Sequence, residues 1–395
     1  MNNNALMIAA AGSGKTTLLA RKALDIKSDS VLITTYTESN EQEIRSKIIK
    51  MKGYLPSNIT VQTWFSFLLQ HGVRPYQCMM NTGLHEKNIG FYLTPDRSGK
   101  KFDKHGEPVI VDGHPLFWSE DDFYKHYFTI GLKIYSDKIS KFIISCNKKM
   151  DNEIVSRISR IYDHVFVDEI QDLAGYDLEL LKLLFKTNSS IFLVGDPRQV
   201  TYLTHHTAKY QKYRNGNIKE FIQNELGKKV VCEIDEKTLN ESHRNNDIIC
   251  QYSASLYPDL PVPSACKCKG CHKDVSDHEG VYLVREKDVD CYLAKFESVV
   301  QLRWNASKKY NESYPVRNMG ESKGATMERV LIYPTEPMLK WVRDHNAELK
   351  HEARAKFYVA LTRAKRSSVI VMDFEDDEEI AGVRKFVTQP TDGLN

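Results

Sequence analysis

The residues best suited to chemistry lie near the start of this 395-residue chain. An apolar stretch, predicted to form a strand over 5–9, leads through a Gly-rich turn into a helix predicted over 16–27. Glycines allow backbone N–H groups to approach a phosphate chain, a lysine can reach the β- and γ-phosphates, and a threonine hydroxyl can bind Mg²⁺. The alternative is a chance Gly-rich turn. We predict a phosphate-binding loop formed by Ala9, Ala10, Ala11, Gly12, Ser13, Gly14, Lys15, Thr16 and Thr17.

A second candidate group ends a later apolar stretch, predicted to form a buried strand over 164–168. It consists of the neighbouring acids Asp168 and Glu169. An acid at the end of such a strand can hold Mg²⁺, and the next acid can orient or deprotonate the water that attacks a γ-phosphate. We therefore predict Thr16 and Asp168 as Mg²⁺ ligands and Glu169 as the residue that activates water.

The elements that must position these residues alternate between strands and helices. Alternation of this kind is typical of an α/β fold with a parallel sheet. The strands are predicted over 5–9, 31–35, 164–168 and 190–195, and the helices over 16–27, 41–52 and 176–186. A second series is predicted from about 230 to a strand over 368–372.

The composition limits the classes of protein to which the chain can belong. Hydrophobic residues make up 41% of the chain and charged residues 27%, which is typical of a globular protein. No apolar run has the length needed to cross a membrane, and no basic residue precedes the N-terminal apolar stretch, so we expect neither a membrane protein nor a signal peptide. The eight cysteines are expected to be reduced thiols in the cytoplasm. The net charge of +3 is uninformative, but Lys and Arg outnumber acids in 133–160 and 205–230, as a nucleic-acid surface requires.

Further motifs follow in an order that resembles superfamily 1 helicases of the UvrD/Rep type. They are Thr35-Tyr36-Thr37, Thr63-Trp64-Phe65, Gly195-Asp196-Pro197-Arg198-Gln199, Ser242-His243-Arg244-Asn245, Ser322-Lys323-Gly324-Ala325-Thr326 and Tyr358-Val359-Ala360-Leu361-Thr362-Arg363-Ala364-Lys365. The resemblance implies two RecA-like parallel-sheet domains of the P-loop NTPase class, with a helical insertion in the first and a reduced insertion in the second. It also implies ATP and Mg²⁺ as cofactors.

Roles for individual residues follow from the same resemblance. Gln199 would sense the γ-phosphate, and Arg244 and Arg363 would act as arginine fingers. His243 stands where the family has a Tyr that stacks on the base, and Gly324 is expected beside the nucleotide. Single-stranded DNA would contact Tyr36, Thr63, Trp64 and Tyr202.

The chain is divided on this basis into two discontinuous domains and two insertions. The predicted ranges are 1–78 and 155–230 for the first RecA-like domain, 79–154 for its insertion, 231–255 and 281–395 for the second domain, and 256–280 for a short Cys-rich insertion.

Besides His243, three further departures from the family pattern affect the expected function. The eight residues before Ala9 contain no Gln to read adenine, so base selectivity is left open. Thr204-His205 stand where the family has a Trp-Arg pair. The space between Arg244 and Ser322 is short, and this compact form resembles the helicase subunit of Gabija-type anti-phage systems.

The resemblance implies an ATP-dependent translocase or helicase on single-stranded or tailed DNA, acting 3′ to 5′, in phage defence or DNA repair. The rival interpretation is a nucleic-acid-stimulated NTPase subunit that gates a partner nuclease without processive unwinding.

A cysteine cluster is left outside these motifs. Cys266, Cys268, Cys271 and His272 could supply four ligands for Zn²⁺, and His278 lies nearby. The C-x-C-x-x-C spacing is tighter than that of paired C-x-x-C knuckles. The alternative is a reduced, Lys-rich surface loop.

Overall fold

The framework of the protein consists of two six-stranded β-sheets, and helices alternate with the strands along the chain. The computed structural model describes residues 3–205, 207–268, 270–271 and 278–387. The strands of the first sheet are β1 (Asn4–Ala9), β2 (Val31–Thr35), β3 (Ile59–Thr63), β4 (His164–Asp168), β5 (Ser190–Gly195) and β6 (Cys232–Leu239). Their order across the sheet is β6-β1-β5-β4-β2-β3.

The first sheet brings the ends of several strands to one edge. β2 pairs in parallel with β3 and β4, and β4 pairs in parallel with β5. All five residues of β2 are buried, as expected for a parallel strand covered on both faces. Because parallel strands share the edge where they end, Thr35, Thr63, Asp168 and Gly195 lie along it, and ligands of open α/β sheets bind outside this edge.

The second sheet is parallel throughout. Its strands are β7 (Gly280–Val284), β8 (Val299–Arg303), β9 (Val316–Asn318), β10 (Met327–Ile332), β11 (Ala364–Val371) and β12 (Arg384–Lys385). The order is β9-β8-β10-β11-β7-β12, and each neighbouring pair is parallel. The predicted fold class of two RecA-like parallel-sheet domains is thereby confirmed.

The α-helices are short, and most follow a strand. They span Lys15–Asp25, Glu38–Lys52, Trp64–Phe67, Gln77–Met80, Phe123–Tyr127, Ile139–Lys149, Glu153–Ile161, Tyr176–Leu184, Ile218–Glu225, Asp247–Ala254, Val289–Lys295, Glu336–Arg343 and His351–Leu361. The helix predicted over 41–52 begins earlier, at Glu38, because Thr37 caps it by accepting a hydrogen bond from the Asn40 N–H group at 3.1 Å. No helix among the described residues is long and apolar enough to cross a membrane.

The range predicted as the first insertion, 79–154, combines helices with short strands. Gly90–Tyr92 pairs in parallel with Lys133–Tyr135, and Ile110–Val111 pairs antiparallel with His114–Pro115. In the range predicted as the second insertion, 256–280, Ser264–Ala265 pairs in parallel with Glu241–Ser242. This last ladder connects the Cys-rich insertion to the segment that carries His243.

The chain forms two compact units. The first contains residues up to Met7, Thr16–Gly195 and Leu203–Asp235, and the second contains Ile8–Lys15, Asp196–Tyr202 and the chain from Glu236 onward. The predicted boundary between 230 and 231 precedes β6, whereas the chain passes from the first unit to the second within this strand, after Asp235. β6 forms an edge of the first sheet, which explains why its first residues group with that unit.

Candidate phosphate-binding site and its surroundings

The predicted phosphate loop lies between the end of β1 at Ala9 and the helix that begins at Lys15. Gly12 and Gly14 have φ values of +72° and +85°, in the left-handed region that favours glycine. A Cβ atom added to Gly12 would lie 2.7 Å from the Ser242 Oγ. The loop therefore needs glycine both for its backbone conformation and for its close approach to a neighbouring segment.

That neighbouring segment runs from Leu239 to Arg244 and holds the loop through three hydrogen bonds. The Ala10 N–H group donates to the Leu239 carbonyl at 2.8 Å, and the Ser242 hydroxyl donates to the Ala11 carbonyl at 2.8 Å. The His243 N–H group donates to the Gly12 carbonyl at 2.9 Å. Three consecutive loop residues are thus fixed by one short stretch of chain.

The loop residues fit a nucleotide phosphate. The Ser13 side chain is buried, and its hydroxyl has no hydrogen-bond partner among the residues that the structure describes. An orphaned polar atom of this kind costs free energy unless a ligand or water satisfies it. The first N–H groups of a helix also lack intrahelical partners, so the helix that begins at Lys15 offers further donors. Together these groups provide the donors that a phosphate chain accepts.

The acid pair lies in the first unit, at the end of β4. Asp168 is 5% exposed and Glu169 is 8% exposed. Glu169 has a φ of +55°, which is uncommon for a residue with a side chain and typical of strained functional positions. The Gln171 amide donates a hydrogen bond to the Glu169 carboxylate. The backbone turn and this hydrogen bond fix the direction of the carboxylate.

Gln171 and Gly195 support the acid pair, although their sequence pattern predicted no role for either. A Cβ atom added to Gly195 would lie 2.2 Å from the Gln171 Oε1, so any larger residue at the end of β5 would displace the amide that contacts Glu169. The Gln two residues after the acid pair was a signal present in the sequence. The need for glycine at position 195 depends on the pairing of β4 with β5, so it was not visible in the sequence.

The second unit brings together three of the predicted catalytic residues. Arg363 is 1% exposed, and its guanidinium donates to the Gln199 Oε1 at 3.3 Å. The Gln199 amide donates to the Asp196 carboxylate at 2.8 Å. Arg244 donates to the Thr326 hydroxyl at 2.9 Å and to the carbonyl of Thr362, the neighbour of Arg363, at 3.2 Å. Contacts within this unit thus connect the phosphate loop, through Arg244, to Arg363 and Gln199.

Gly324 is exposed and has a φ of +84°. It lies two residues before Thr326, whose hydroxyl accepts the hydrogen bond from Arg244.

The four predicted nucleic-acid residues differ in exposure. Tyr202 is 42% exposed, and Tyr36 is half-buried with its ring edge against Phe65, 5.7 Å between centroids. Thr63 is buried and caps the short helix that begins at Trp64. Trp64 is 1% exposed, so its ring cannot stack on a base in this conformation, and the predicted role would require it to move.

A buried polar network in the first unit explains the position of Trp64. Its indole N–H group donates to the Asp177 carboxylate at 2.9 Å. The Ser140 hydroxyl also donates to this carboxylate, and the His205 Nε2 lies 3.4 Å from its other oxygen. Burial alone would raise the pKa of Asp177, but the His205 ring and the hydrogen-bond donors outweigh it, and the pKa lies below its ordinary value. His205, from the pair that departs from the family pattern, therefore packs in the core.

Three of the four predicted zinc ligands converge in the second unit. The Cys268 Sγ lies 2.8 Å from the Cys266 Sγ and 2.9 Å from the Cys271 Sγ. The predicted fourth ligand, His272, lies outside the described residues. The His243 Nδ1 lies beside the same thiols, 3.5 Å from the Cys268 Sγ and 3.6 Å from the Cys271 Sγ. His243 could not be recognised as a candidate ligand from the sequence, because it lies far from the cysteines along the chain and matches a helicase motif.

His278 lies apart from the thiols. Its ring packs between Tyr282 and Phe296, with centroid distances of 3.8 and 4.2 Å, and bonds to the Tyr292 hydroxyl at 3.2 Å. Burial, assisted by nearby cationic side chains, lowers its pKa to about 4. It belongs to an aromatic cluster.

The two parallel sheets and the loop between β1 and its helix define a protein of the RecA-like, phosphate-loop class. Residues 1–80 and 121–224 match the family profile described as the UvrD/REP helicase N-terminal domain. The match covers slightly less than half of the chain. Over these residues the chain is similar to UvrD-like helicases.

Curated relatives agree with this similarity at low identity. A probable DNA helicase II homolog of Mycoplasma genitalium is 22% identical over 49% of this chain and 33% of its own length. A probable DNA helicase of Mycoplasma pneumoniae is 22% identical over 91% of this chain and 79% of its own length. The chain therefore spans about a third of the first of these relatives. Among solved structures, the crystal structure of Arterivirus nonstructural protein 10 (helicase) has a TM-score of 0.44 and 14% identity, covering 95% of this chain and 60% of that one.

Proposed function

We propose that the protein is an ATP-dependent DNA translocase or helicase of the UvrD type. The observation that carries this proposal is the continuous set of contacts in the second unit, from the glycine loop through Arg244 to the Arg363–Gln199 pair. Phosphoryl transfer requires positioning and charge neutralisation rather than covalent chemistry, so a phosphate cradle joined to two arginines suits it. The UvrD/REP family match and the DNA helicase relatives support DNA as the substrate.

The roles of the residues follow from their chemistry. Lys15 neutralises the β- and γ-phosphates, while Ser13 and the loop N–H groups bind phosphate oxygens. Thr16 and Asp168 would hold Mg²⁺, which neutralises charge on the phosphates when bound. Glu169, oriented by Gln171, positions the attacking water and accepts its proton. Arg244 and Arg363 stabilise the charge that develops in the transition state.

We assign the binding of single-stranded DNA to residues at the carboxyl edge of the first sheet and to an exposed aromatic residue of the second unit. Tyr36 follows β2, Thr63 ends β3, and Tyr202 presents an accessible ring. Bases stack on aromatic rings, and hydroxyl groups bind backbone phosphates. By resemblance the movement runs 3′ to 5′, and the biological setting is phage defence or DNA repair.

The proposal is tested by Lys15→Ala, with ATP hydrolysis and DNA binding measured on the same preparation. We expect hydrolysis to be lost and DNA binding to be retained, because Lys15 contacts only the nucleotide in this scheme. Lys27→Ala is the matched control, since Lys27 is exposed just after the same helix. Substantial DNA-stimulated hydrolysis by Lys15→Ala would contradict the assignment of the site.

The alternative function is an NTPase subunit that gates a partner nuclease of an anti-phage complex without processive unwinding. The small second insertion favours it, because its one described ladder has two residues per strand. Strand displacement on 3′- and 5′-tailed duplexes separates the two functions. Displacement of the 3′-tailed duplex supports the helicase, whereas strand-stimulated hydrolysis without displacement, together with a co-purifying nuclease, supports the alternative.

A further inference from the structure

We propose that His243, Cys266, Cys268 and Cys271 bind one zinc ion, and that this ion fixes the segment against which the phosphate loop packs. The ligand atoms of these four residues all lie within 4.8 Å of one another. Three thiolates and one imidazole form a usual ligand set for structural zinc. The second part of the inference rests on the proposed function, and the first does not.

Two of the four ligand–ligand distances already match a tetrahedral zinc site, and the other two are about 1 Å too short. Zinc bonded to sulfur and to imidazole nitrogen gives ligand–ligand edges of ~3.5 Å for S–N and ~3.8 Å for S–S. The two distances from the His243 Nδ1 are 3.5 and 3.6 Å, already at the S–N value. The thiols, 2.8 and 2.9 Å apart, would separate by about 1 Å to take up the metal.

A disulfide does not explain the cluster. All three cysteines are free, and their sulfur separations exceed the ~2.05 Å of a disulfide bond. The cluster contains three sulfur atoms, with that of Cys268 between the other two, and a nitrogen atom from the separate segment that carries His243. A disulfide joins only two sulfur atoms. Convergence of four soft ligands is the pattern that a metal requires.

The backbone holds the cysteine segment in register with the segment that carries His243. Ser264–Ala265 pairs in parallel with Glu241–Ser242, and the Cys266 N–H group donates to the Ser242 carbonyl at 2.9 Å. His243 and Cys266 directly follow the paired residues of this ladder, so main-chain hydrogen bonds bring them together independently of the thiols. This pre-arrangement lowers the entropic cost of forming the site.

His243 connects the metal to the phosphate loop. Its N–H group donates to the Gly12 carbonyl, and its Cδ2 lies 3.8 Å from the position that a Cβ atom would take on Gly14. With Nδ1 bound to zinc, the ring cannot rotate away from the loop, and its neighbours Ser242 and Arg244 stay in place. Loss of the metal is expected to weaken nucleotide binding without removing any residue that contacts the phosphates.

The metal site is tested by elemental analysis of protein purified without chelators or added metal. We expect about one zinc per chain, as a four-ligand site requires, and its loss in His243→Ala and Cys268→Ser. Cobalt substitution should give the d–d bands of a tetrahedral ion and thiolate charge transfer. His243→Cys, which restores a fourth ligand, should keep the metal, and Cys291→Ser, at an exposed cysteine outside the cluster, is the control.

Absence of zinc from the wild-type protein, or equal zinc in His243→Ala, would overturn the proposed ligand set. A disulfide among the three cysteines in freshly purified protein would do the same. Cys268 and His243 are both exposed, so circular dichroism should show folded variants.

The coupling is tested by the affinity for a non-hydrolysable ATP analogue. We expect binding to weaken about tenfold in Cys268→Ser, which removes a metal ligand and leaves the His243 ring in place, and to change little in Cys291→Ser. Unchanged affinity in a metal-free Cys268→Ser would overturn the coupling and assign any loss in His243→Ala to base contact. Zinc at one per chain without any nucleotide binding would contradict the proposed function and leave the metal site standing.

Discussion

Glu169 leaves the end of β4 with its backbone in the left-handed region, where a side chain is strained, and it is held there by the Gln171 amide. Strain of about 1–3 kcal/mol persists only where the surroundings over-determine the conformation. Here the strand end and the Gln171 contact, which depends on Gly195, provide that constraint. The consequence is a carboxylate with one fixed direction, as a residue that positions water needs.

Glu169→Gln should therefore separate nucleotide binding from hydrolysis. The amide keeps the size of the side chain but cannot accept a proton, so we expect turnover to fall by about 10²–10⁴-fold with ATP affinity nearly unchanged. Single-turnover hydrolysis and equilibrium binding of the same variant measure the two quantities. Glu43→Gln, at an exposed helix position, should leave both unchanged. Loss of affinity equal to the loss of turnover would assign Glu169 to binding instead.

At the scale of elements, the buried carboxylate of Asp177 joins three helices of the first unit. It lies in the helix Tyr176–Leu184, and its partners come from the helix Trp64–Phe67, the helix Ile139–Lys149 and the segment after β5. A buried charge is tolerated only where it is paired and hydrogen-bonded. Trp64 thus connects the helix that follows β3 to the core, which also explains its burial.

Trp64→Phe should destabilise the protein by about 1–3 kcal/mol, because it removes a donor from a buried carboxylate. The measurement is the shift of the urea unfolding midpoint followed by circular dichroism. Trp304→Phe makes the same chemical change at a partly exposed ring and should shift the midpoint much less. If Trp64→Phe left stability unchanged but reduced the affinity for single-stranded DNA, the result would indicate that the Trp64 ring leaves the core to stack on a base.

At the scale of the whole molecule, the predicted catalytic groups are divided between the two compact units. Asp168 and Glu169 belong to the first unit, and Gln199, Arg244 and Arg363 belong to the second. In the proposed mechanism hydrolysis needs groups from both units, and we expect single-stranded DNA to stimulate it.

Arg363→Ala should lower kcat by about 10³-fold with little change in nucleotide affinity, because a finger acts on charge that grows in the transition state. The variant should also lose its stimulation by single-stranded DNA. Arg363→Lys should not restore the rate, since an ammonium cannot make the planar contacts of a guanidinium.

The measurement is the ATPase rate of these variants with and without an oligonucleotide. Arg366→Ala, at a partly exposed arginine on β11, should keep both rate and stimulation. A several-fold response of Arg363→Ala to DNA would make Arg244 the next candidate.

Local patterns were sufficient to predict the strands over 31–35, 164–168 and 190–195, because buried parallel strands read as short apolar runs. The glycine loop was equally visible, since its residues are contiguous and each is needed for a local reason. The bounds of the helices were less accurate because capping contacts, such as that of Thr37 before the helix that begins at Glu38, set where a helix begins. The buried strands and the glycine loop depend on neighbouring residues in the chain, which is why the sequence by itself determined them.

The tertiary structure alone decided which distant residues meet. Trp64 reads as a base-stacking candidate in its motif, but its burial depends on Asp177, 113 residues later in the chain. The thiol cluster pointed to His272 by proximity in sequence, whereas the ladder between Glu241–Ser242 and Ser264–Ala265 brings His243 to the three sulfur atoms. Contacts of this kind depend on how strands are registered, and register arises from packing of the whole sheet rather than from any local pattern.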